Sequence, residues 1–356
     1  MRCFQIEAFG KPLLAADQPI PTPTGTEVVV RTTACGVCHS DVHIADGYFD
    51  LGGGNRIDLS RGLRLPLVPG HEVVGEVVAL GPDVAATMPG IAVGDRRVVY
   101  PWIGCGQCAF CSRGHEELCD APRTIGVNRD GGYGGSVMVP HPRYLFEYAP
   151  LPDEQACILA CSGLTAFGAL RKVMGLPPDA GVLIIGAGGV GLSAIRLAKH
   201  VLGIAPVVAE IDRSRWDIAL EAGAADVVDP SDPGTARALM KATGGGMAAV
   251  LDFVGAGPTF AFGMSVLRKA GTLVVVGLLG GDTTVSPAVL PLKAITVVGS
   301  YVGSLAEMGE LMRIARAGAL PPMPVQERGL DEANAVLDQL RAGQLRGRAV
   351  LRPSVA

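Results

Sequence analysis

The chain has 356 residues, of which 49% are hydrophobic, and its formal net charge is −4 at pH 7. This length and apolar content are enough for one large hydrophobic core or two smaller ones. The acidic balance argues against nucleic acid as the main partner, which would require a basic surface. No apolar stretch is long enough for a membrane span, and the first residues lack the apolar core of a signal peptide. We therefore expect a cytoplasmic protein that binds neither nucleic acid nor membrane.

The first 150 residues are predicted to form strands and loops rather than helices. Short β-type runs are separated by clusters of glycine, proline and aspartate, which favour turns. The predicted strands cover residues 28–30, 73–80, 97–100 and 136–139. This pattern is typical of a compact, mostly antiparallel, barrel-like domain.

Ligand-type side chains are concentrated in residues 35–43, which contain two thiols, two imidazoles, a hydroxyl and a carboxylate. Such groups can hold a soft divalent metal and move a proton away from it. Zinc stabilises an alkoxide near neutral pH, and a hydroxyl beside the metal can pass the released proton to a surface imidazole. Ser40 and His43 are the candidates for this proton relay. The alternative is a solvent-exposed His43 without a role.

The nine cysteines are expected to be thiols or metal ligands rather than disulfides, because no export signal is visible. Four of them are closely spaced, namely Cys105, Cys108, Cys111 and Cys119. Four thiols at this spacing can close a tetrahedral shell that leaves no position for a substrate, which is typical of structural zinc. An iron–sulfur cluster is the competing interpretation, but no electron-transfer feature accompanies the motif.

From residue 180 the pattern changes to alternating strands and helices. With the strand over 182–185, further strands are predicted over 206–210, 226–228, 249–253, 272–276 and 295–299. Six strands separated by helices are consistent with a doubly wound parallel sheet.

A glycine-rich turn follows the first of these strands and predicts a dinucleotide site. Gly186 allows the tight turn, Gly188 lets the backbone approach a pyrophosphate, and Gly191 permits close packing of the helix predicted over 190–200. The predicted cofactor-binding residues of this turn are Gly186, Gly188, Gly189, Val190 and Gly191.

An acidic residue after the next strand favours NAD over NADP. Glu210 can accept hydrogen bonds from both hydroxyls of an adenosine ribose, and its charge repels a 2′-phosphate. Asp212 and Arg213 follow closely. Arg213 could instead stack on adenine or help to hold a 2′-phosphate, so both cofactors stay open at this point.

Together, Cys38, the sequence Gly70-His71-Glu72 and Cys161 resemble the catalytic zinc site of the zinc-dependent alcohol dehydrogenases, within the medium-chain dehydrogenase/reductase superfamily. The resemblance extends over nearly the whole chain. It implies that Cys38, His71 and Cys161 hold the catalytic zinc, that Glu72 lies behind the metal and can bind it when substrate leaves, and that Asp41 orients His71.

The resemblance also implies the fold and the domain organisation. The fold class is α/β, with a GroES-like, β-rich catalytic domain and a Rossmann domain whose sheet is doubly wound, parallel and six-stranded. The catalytic domain is expected to cover residues 1–162 and 302–356, and the NAD-binding domain residues 163–301.

Further site residues match positions of the family pattern. His39 and Arg348 match positions near the cofactor pyrophosphate, and Thr165 matches a contact of the nicotinamide. The backbone at Val276, Leu278 and Tyr301 is expected to hold the nicotinamide carboxamide. Trp102 resembles the bulky substrate-pocket residue of many bacterial relatives.

The segment 46–66 is longer than in the plain family pattern. Its ends join a relay residue to a metal ligand, so we expect it near the substrate mouth, with Tyr48 and Phe49 as apolar contacts. A surface loop or a subunit-interface loop is the alternative.

These observations predict an NAD-dependent enzyme with two zinc ions per chain that reversibly oxidises a primary or secondary alcohol to an aldehyde or ketone. The alternatives are a carbonyl reductase that works mainly in the reductive direction, with NADPH, and a non-catalytic cofactor-sensing or structural zinc protein. A zinc-free quinone or enone reductase of the same superfamily would lack the three ligands, and all three are present. The resemblance further implies a homodimer or homotetramer.

Overall fold

The structure, a computed structural model, describes residues 1–318 and 320–353. The last residues of the predicted catalytic domain, 354–356, lie outside the described residues. The strands are Arg2–Gln5 (β1), Leu14–Asp17 (β2), Val28–Gly36 (β3), Tyr48–Gly52 (β4), Asn55–Asp58 (β5), Glu72–Leu80 (β6), Arg96–Val99 (β7), Ser136–Val139 (β8), Leu145–Phe146 (β9), Val182–Ile185 (β10), Val207–Ala209 (β11), Asp226–Val228 (β12), Met247–Asp252 (β13), Leu267–Val275 (β14), Thr296–Gly299 (β15), Val325–Gly329 (β16) and Arg348–Arg352 (β17).

The α-helices are His39–Asp46 (α1), Val84–Thr87 (α2), Asp153–Ala156 (α3), Ser162–Arg171 (α4), Gly189–Leu202 (α5), Trp216–Glu221 (α6), Thr235–Ala242 (α7), Gly257–Val266 (α8), Val289–Lys293 (α9), Leu305–Arg316 (α10) and Ala333–Arg341 (α11). Among these helices of the described residues, none is long and apolar enough to cross a bilayer.

The N-terminal part forms a mostly antiparallel sheet, as predicted. Its strand order is β16-β17-β3-β6-β7-β9, and β8 pairs with β3. The two strands from the C-terminal end, β16 and β17, are parallel to each other, and β17 joins the sheet antiparallel to β3. The chain therefore returns to its first half after passing through the second sheet.

The second sheet is six-stranded and parallel, in the order β12-β11-β10-β13-β14-β15. The prediction of six strands is confirmed, although strand ends differ by a few residues. All four residues of β10 are buried because helices cover both faces of the sheet. Val182 and Ile184 pack into the core that continues into the first domain, whereas Leu183 and Ile185 pack into a separate core on the opposite face.

Helix α1 corrects the prediction that the first 150 residues lack helices. Its N-terminus is fixed by the metal motif itself, since Cys38 is the N-cap residue and its backbone N–H donates to Oδ2 of Asp41 at 2.9 Å. Gly47 ends the helix in a left-handed conformation, with φ +83°. The capping pattern is present in the sequence, but it is hidden among residues that also suggest metal ligands.

The segment 46–66 contains a β-hairpin, which the sequence pattern does not predict. Strands β4 and β5 pair antiparallel outside both main sheets. Gly53 and Gly54 connect them, and both have positive φ, as a two-residue hairpin turn requires.

A cleft of about 1060 Å³ lies between the two sheets. One wall comes from α1 and the loops of the antiparallel sheet, and the other from the carboxyl ends of the parallel strands. Ligands of doubly wound sheets bind at the carboxyl ends of the strands, so the cleft is the expected ligand site.

Candidate active site

Three buried side chains converge at the bottom of the cleft: Cys38, His71 and Cys161. Their ligand atoms all lie within 4.8 Å of one another. Cys38 caps α1, His71 directly precedes β6, and Cys161 directly precedes α4, so three separate elements supply the ligands. The contact between the two thiols, 3.9 Å apart, lowers the pKa of Cys38 well below its ordinary value.

The imidazole of His71 is oriented for metal binding. Its Nδ1 lies 3.1 Å from Oδ1 of Asp41, and the other oxygen of Asp41 accepts a hydrogen bond from the Tyr133 hydroxyl at 3.2 Å. Nε2 of His71 is buried and has no hydrogen-bond partner within the described part of the chain. A buried nitrogen without a partner is costly, and a metal ion would satisfy it. Two thiols and one imidazole are a ligand set that zinc prefers, with the fourth position open.

Glu72 lies behind this cluster and is engaged elsewhere. Its Oε1 accepts a hydrogen bond from the Ser162 backbone N–H at 3.1 Å, and its Oε2 forms a buried ion pair with Arg348. Burial raises the pKa of Glu72 to about 7. The structure therefore places Glu72 next to the metal ligands but does not include it in their cluster.

Ser40, His43 and His39 line the cleft beside Cys38. Oγ of Ser40 lies 3.7 Å from Sγ of Cys38. The His43 ring is half-buried, with its centroid 5.2 Å from the His39 ring and 4.8 Å from the Phe49 ring. Burial, followed by the charge of His39, lowers the pKa of His43 below its ordinary value. His43 is therefore neutral at pH 7 and able to accept a proton.

Trp102 forms part of the wall around the three ligands. Its indole N–H donates to the Ala160 carbonyl at 3.1 Å, which fixes the ring. The ring centroid is 5.4 Å from that of His71 and 6.0 Å from that of Tyr301. Phe49 also lines the cleft, whereas Tyr48 packs under the guanidinium of Arg56 at 4.0 Å and is not part of the lining.

The four other closely spaced cysteines form a second cluster. The sulfurs of Cys105, Cys108, Cys111 and Cys119 lie within 4.8 Å of one another. Backbone N–H groups point at them: that of Cys105 donates to Cys119 Sγ at 3.1 Å, and that of Cys111 donates to Cys108 Sγ at 3.5 Å. Hydrogen bonding from Cys111 lowers the pKa of Cys108 to about 6. Four sulfurs that face one another and receive N–H donors fit a metal shell without an open position.

The glycine-rich turn lies at the other end of the cleft. Gly186, Gly188, Gly189, Val190 and Gly191 all line it. Gly186 has φ +93°, and a Cβ at Gly191 would lie 1.9 Å from the Gly186 carbonyl oxygen, so both positions require glycine. The carboxylate of Glu210 accepts hydrogen bonds from the backbone N–H groups of Ala187 at 2.7 Å and Asp212 at 2.8 Å. The turn and the acidic residue are thus held together at the start of α5.

Between the three metal ligands and the glycine turn, the remaining residues predicted to contact the cofactor line one continuous surface. Thr165, Val276, Leu278, Tyr301 and Arg348 are all among the cleft residues. Arg348 also packs against the glycine turn, since a Cβ at Gly189 would lie 2.6 Å from its Cδ. One arginine therefore contacts both Glu72, behind the metal ligands, and the first turn of α5.

Comparisons with known proteins agree with this geometry. The family model of the alcohol dehydrogenase GroES-like domain matches residues 24–153, and that of zinc-binding dehydrogenases matches residues 189–317. An NAD-dependent alcohol dehydrogenase of Sulfurisphaera tokodaii is 38% identical, over 99% of this chain and 100% of its own length. One of Saccharolobus solfataricus is 36% identical over the same shares of the two chains.

A solved structure has the same overall fold as this chain. The alcohol dehydrogenase of Aeropyrum pernix superposes with a TM-score of 0.86 at 29% identity, and the match covers 99% of this chain and 100% of the other. The chain belongs to the zinc-dependent alcohol dehydrogenase family. The predicted fold, with its GroES-like and Rossmann parts, is thereby confirmed, and so is the prediction of a zinc-dependent, NAD-linked alcohol oxidoreductase.

One predicted cofactor contact of this dehydrogenase lies away from the cleft. Asp212 accepts a hydrogen bond from the Ser214 backbone N–H and starts a tight turn. The turn directs Arg213 onto the ring of Trp216, 5.4 Å from its centroid, and outside the cleft lining. Arg215 lines the cleft instead, with Nε 3.2 Å from Oδ2 of Asp212 and a hydrogen bond to the Gly343 carbonyl.

Sequence reasoning missed Arg215 and two other groups of this dehydrogenase. The Asp212-x-Ser214 pattern is a turn signature, and applying it would have favoured residue 215 over residue 213. The other two are Tyr133 and Glu116. Tyr133 holds Asp41 by a hydrogen bond. Glu116 lies in the segment 105–122, called here the four-cysteine lobe, and accepts hydrogen bonds from the Gly104 backbone N–H and the Tyr144 hydroxyl. Neither residue stands in a recognisable local sequence pattern. Their roles depend on contacts between residues far apart in the chain.

Proposed function

We propose that this dehydrogenase oxidises a small or medium-sized apolar alcohol, primary or secondary, at the Cys38–His71–Cys161 cluster. The observation that carries the proposal is the continuity of one cleft: the three-ligand cluster opens onto the same surface as Thr165 and the glycine turn. The walls beside the cluster are apolar and aromatic, with Trp102, Phe49 and Leu278. Such walls favour a carbon skeleton over a polyol.

Bound at these two places, zinc supplies Lewis-acid polarisation of the substrate oxygen and NAD supplies a hydride acceptor. The residues of the chain then have three tasks. Trp102 and Phe49 exclude water from the reacting carbon, Thr165 and the backbone at Val276 orient the nicotinamide, and Ser40 receives the hydroxyl proton. By microscopic reversibility, the same groups serve the reverse reaction, the reduction of the aldehyde or ketone.

The proposed proton path leads from Ser40 to His43. The Ser40 hydroxyl lies beside Cys38, and His43, one turn later on α1, is neutral because of its lowered pKa. A hydroxyl and a neutral imidazole on the same helix face can move a proton from a dry pocket towards solvent. The cofactor ribose is the proposed connection between them.

We propose two zinc ions per chain, one at each cluster. The three-ligand cluster keeps an open position, whereas the four-cysteine cluster is closed and is therefore structural. We also propose Glu210 as the ribose ligand that selects NAD. The NADPH-dependent alternative rests on Arg213, which packs on Trp216 outside the cleft lining. Arg215 does line the cleft, but its guanidinium forms an ion pair with Asp212.

The test is a panel of alcohols of increasing size, assayed with NAD and NADP on wild type and on Glu210→Gln. We expect wild type to oxidise apolar alcohols with NAD and to show little activity with polyols. In Glu210→Gln we expect a KM for NAD about tenfold higher than in wild type, because a charged hydrogen bond to the ribose is lost. Oxidation of polyols in preference to apolar alcohols, or equal use of NADP by wild type, would contradict the proposal.

We further propose a homodimer, or a tetramer built from it. Strand β15 is the edge of the parallel sheet and pairs only with β14 among the described strands. Its neighbourhood exposes apolar side chains, with Leu292 75% and Val297 41% exposed. An unpaired apolar edge favours pairing with a second copy. Sedimentation equilibrium that gives the mass of one chain would contradict it.

We also propose that the domains meet after residues 162 and 301, and that the protein is cytoplasmic. The boundaries rest on two changes of sheet: the chain passes from the antiparallel sheet to the parallel one between β9 and β10, and returns between β15 and β16. Limited proteolysis with cleavage concentrated inside 163–301 would argue against the domain division. Fractionation that recovers the protein outside the cytoplasm would contradict the proposed location.

A further inference from the structure

The hairpin of β4 and β5 contributes Phe49 to the substrate wall proposed above, but its tip has no part in that chemistry. It stands outside both main sheets, and the Arg56 guanidinium over the Tyr48 ring, at 4.0 Å, ties its two strands together. Its base is fixed to the relay helix: the Leu59 backbone N–H donates to the Gly47 carbonyl at 2.9 Å, and the Phe49 ring packs on His43. The hairpin is therefore a rigid extension of the catalytic domain.

The tip of the hairpin touches the other domain. A Cβ placed at Gly52 would lie 2.3 Å from Cα of Gly281, and one placed at Gly280 would lie 2.3 Å from the Asp50 carbonyl oxygen. Backbone therefore packs directly on backbone, and glycine is needed on both sides. Gly280 belongs firmly to the cofactor domain, because its N–H donates to the Gly255 carbonyl at 3.0 Å.

This contact bridges the two walls of one cleft. Phe49 and Leu59 line it from the hairpin side, and Leu278 and Leu279 line it from the cofactor-domain side. Leu278 lies in the loop after β14 and is itself among the expected contacts of the nicotinamide carboxamide, so the bridge lies at the nicotinamide end of the cleft. The hairpin thus joins the two domains at a point where they would have to separate for a bound dinucleotide to leave.

We propose that the hairpin is a clasp: its contact with Gly280 and Gly281 holds the cleft closed around the cofactor and limits the rate at which NADH leaves. The inference rests on the assignment of this cleft to NAD. Opening of a closed cleft limits turnover in many enzymes, and interdomain contacts set the rate of that opening. Weakening the contact should speed the release of NADH without altering the metal site or the hydride transfer step.

The chain offers two matched pairs of glycines for a test. In the hairpin, Gly52 and Gly54 have φ +84° and +82°, but a Cβ at Gly54 would meet nothing within 4 Å. In the cofactor domain, Gly280 and Gly281 have φ +87° and +106°, and a Cβ at Gly281 would make only one contact, of 3.4 Å, with Gly257. Alanine at each member of a pair imposes similar backbone strain, and only one member disturbs the clasp.

The experiment measures the NADH dissociation rate of the full-length enzyme by stopped-flow fluorescence, with zinc content checked in each variant. We expect Gly52→Ala and Gly280→Ala to release NADH about tenfold faster than Gly54→Ala and Gly281→Ala. Gly52→Ala in the hairpin and Gly280→Ala in the cofactor domain disturb the same contact. If a variant of one pair fails to fold, the other pair alone is therefore a sufficient test. Equal dissociation rates within a folded pair would overturn the clasp while leaving the cofactor assignment intact. A wild-type enzyme that binds no NADH would overturn both.

Discussion

His43 shows how one residue's surroundings decide its chemical role. It lies on α1, between the His39 ring and the Phe49 ring, and burial lowers its pKa. Above that pKa the imidazole is neutral and accepts a proton, and as the pH falls through it the imidazole becomes charged and can no longer do so. A contribution of His43 to alcohol oxidation is therefore present at neutral pH and lost in the acidic range.

We predict that His43→Gln lowers kcat for alcohol oxidation at pH 7 by at least about tenfold, because the proton loses its acceptor. The loss should be partly reversed by added imidazole, which supplies a base from solution. The measurement is a pH profile of kcat for wild type and variant with and without imidazole. A profile identical to that of wild type, or a loss that imidazole does not affect, would show that His43 is not in the proton path.

At the scale of elements, a strand, turn or helix is predictable from the sequence where one short stretch contains all the residues that determine it. Strand β10, the glycine turn and α5 follow one another within the sequence, and all were located correctly. Helix α1 was missed because its capping residues, Cys38 and Asp41, also belong to the metal site. The sequence pattern points to Arg213 and not to Arg215, because the turn that places Arg215 in the cleft depends on one side chain, that of Asp212.

The four-cysteine lobe is an element that contributes no strand to either main sheet. Its backbone N–H groups point at sulfurs, and Glu116 ties it to Tyr144 at the edge of the sheet. Few apolar residues hold it, so the metal should supply much of its stability. Because Leu118 and Pro122 of the same lobe line the cleft, loosening it would also disturb the substrate site.

For Cys111→Ser we predict the loss of about one zinc per chain and a fall in the free energy of unfolding of about 4 kcal/mol, since a metal ligand is removed. Elemental analysis and denaturant unfolding measure the two effects. The matched control is Cys3→Ser, a buried thiol outside both clusters, which should keep its full zinc content. A variant of Cys111 with unchanged zinc would mean that the cluster is not a metal site.

At the scale of the whole molecule, function depends on contacts that no single stretch of sequence contains. The metal ligands come from 38, 71 and 161, and Arg348, from the last strand, reaches both Glu72 and the glycine turn. The sequence identified most of these residues through resemblance, but not their distances. The contact of the hairpin tip with Gly281 was unpredictable, since it requires the relative placement of two domains.

We propose that Cys38, His71 and Cys161 form a catalytic zinc site separate from the structural site at the four cysteines. The most direct test compares wild type with Cys38→Ala in zinc content per chain and in NAD-dependent alcohol oxidation, with circular dichroism to verify the fold. We predict two zinc ions in wild type, about one in the variant, and loss of activity with the fold retained. One zinc in wild type and an unchanged content in Cys38→Ala would contradict this assignment, because Cys38 would then not be a ligand.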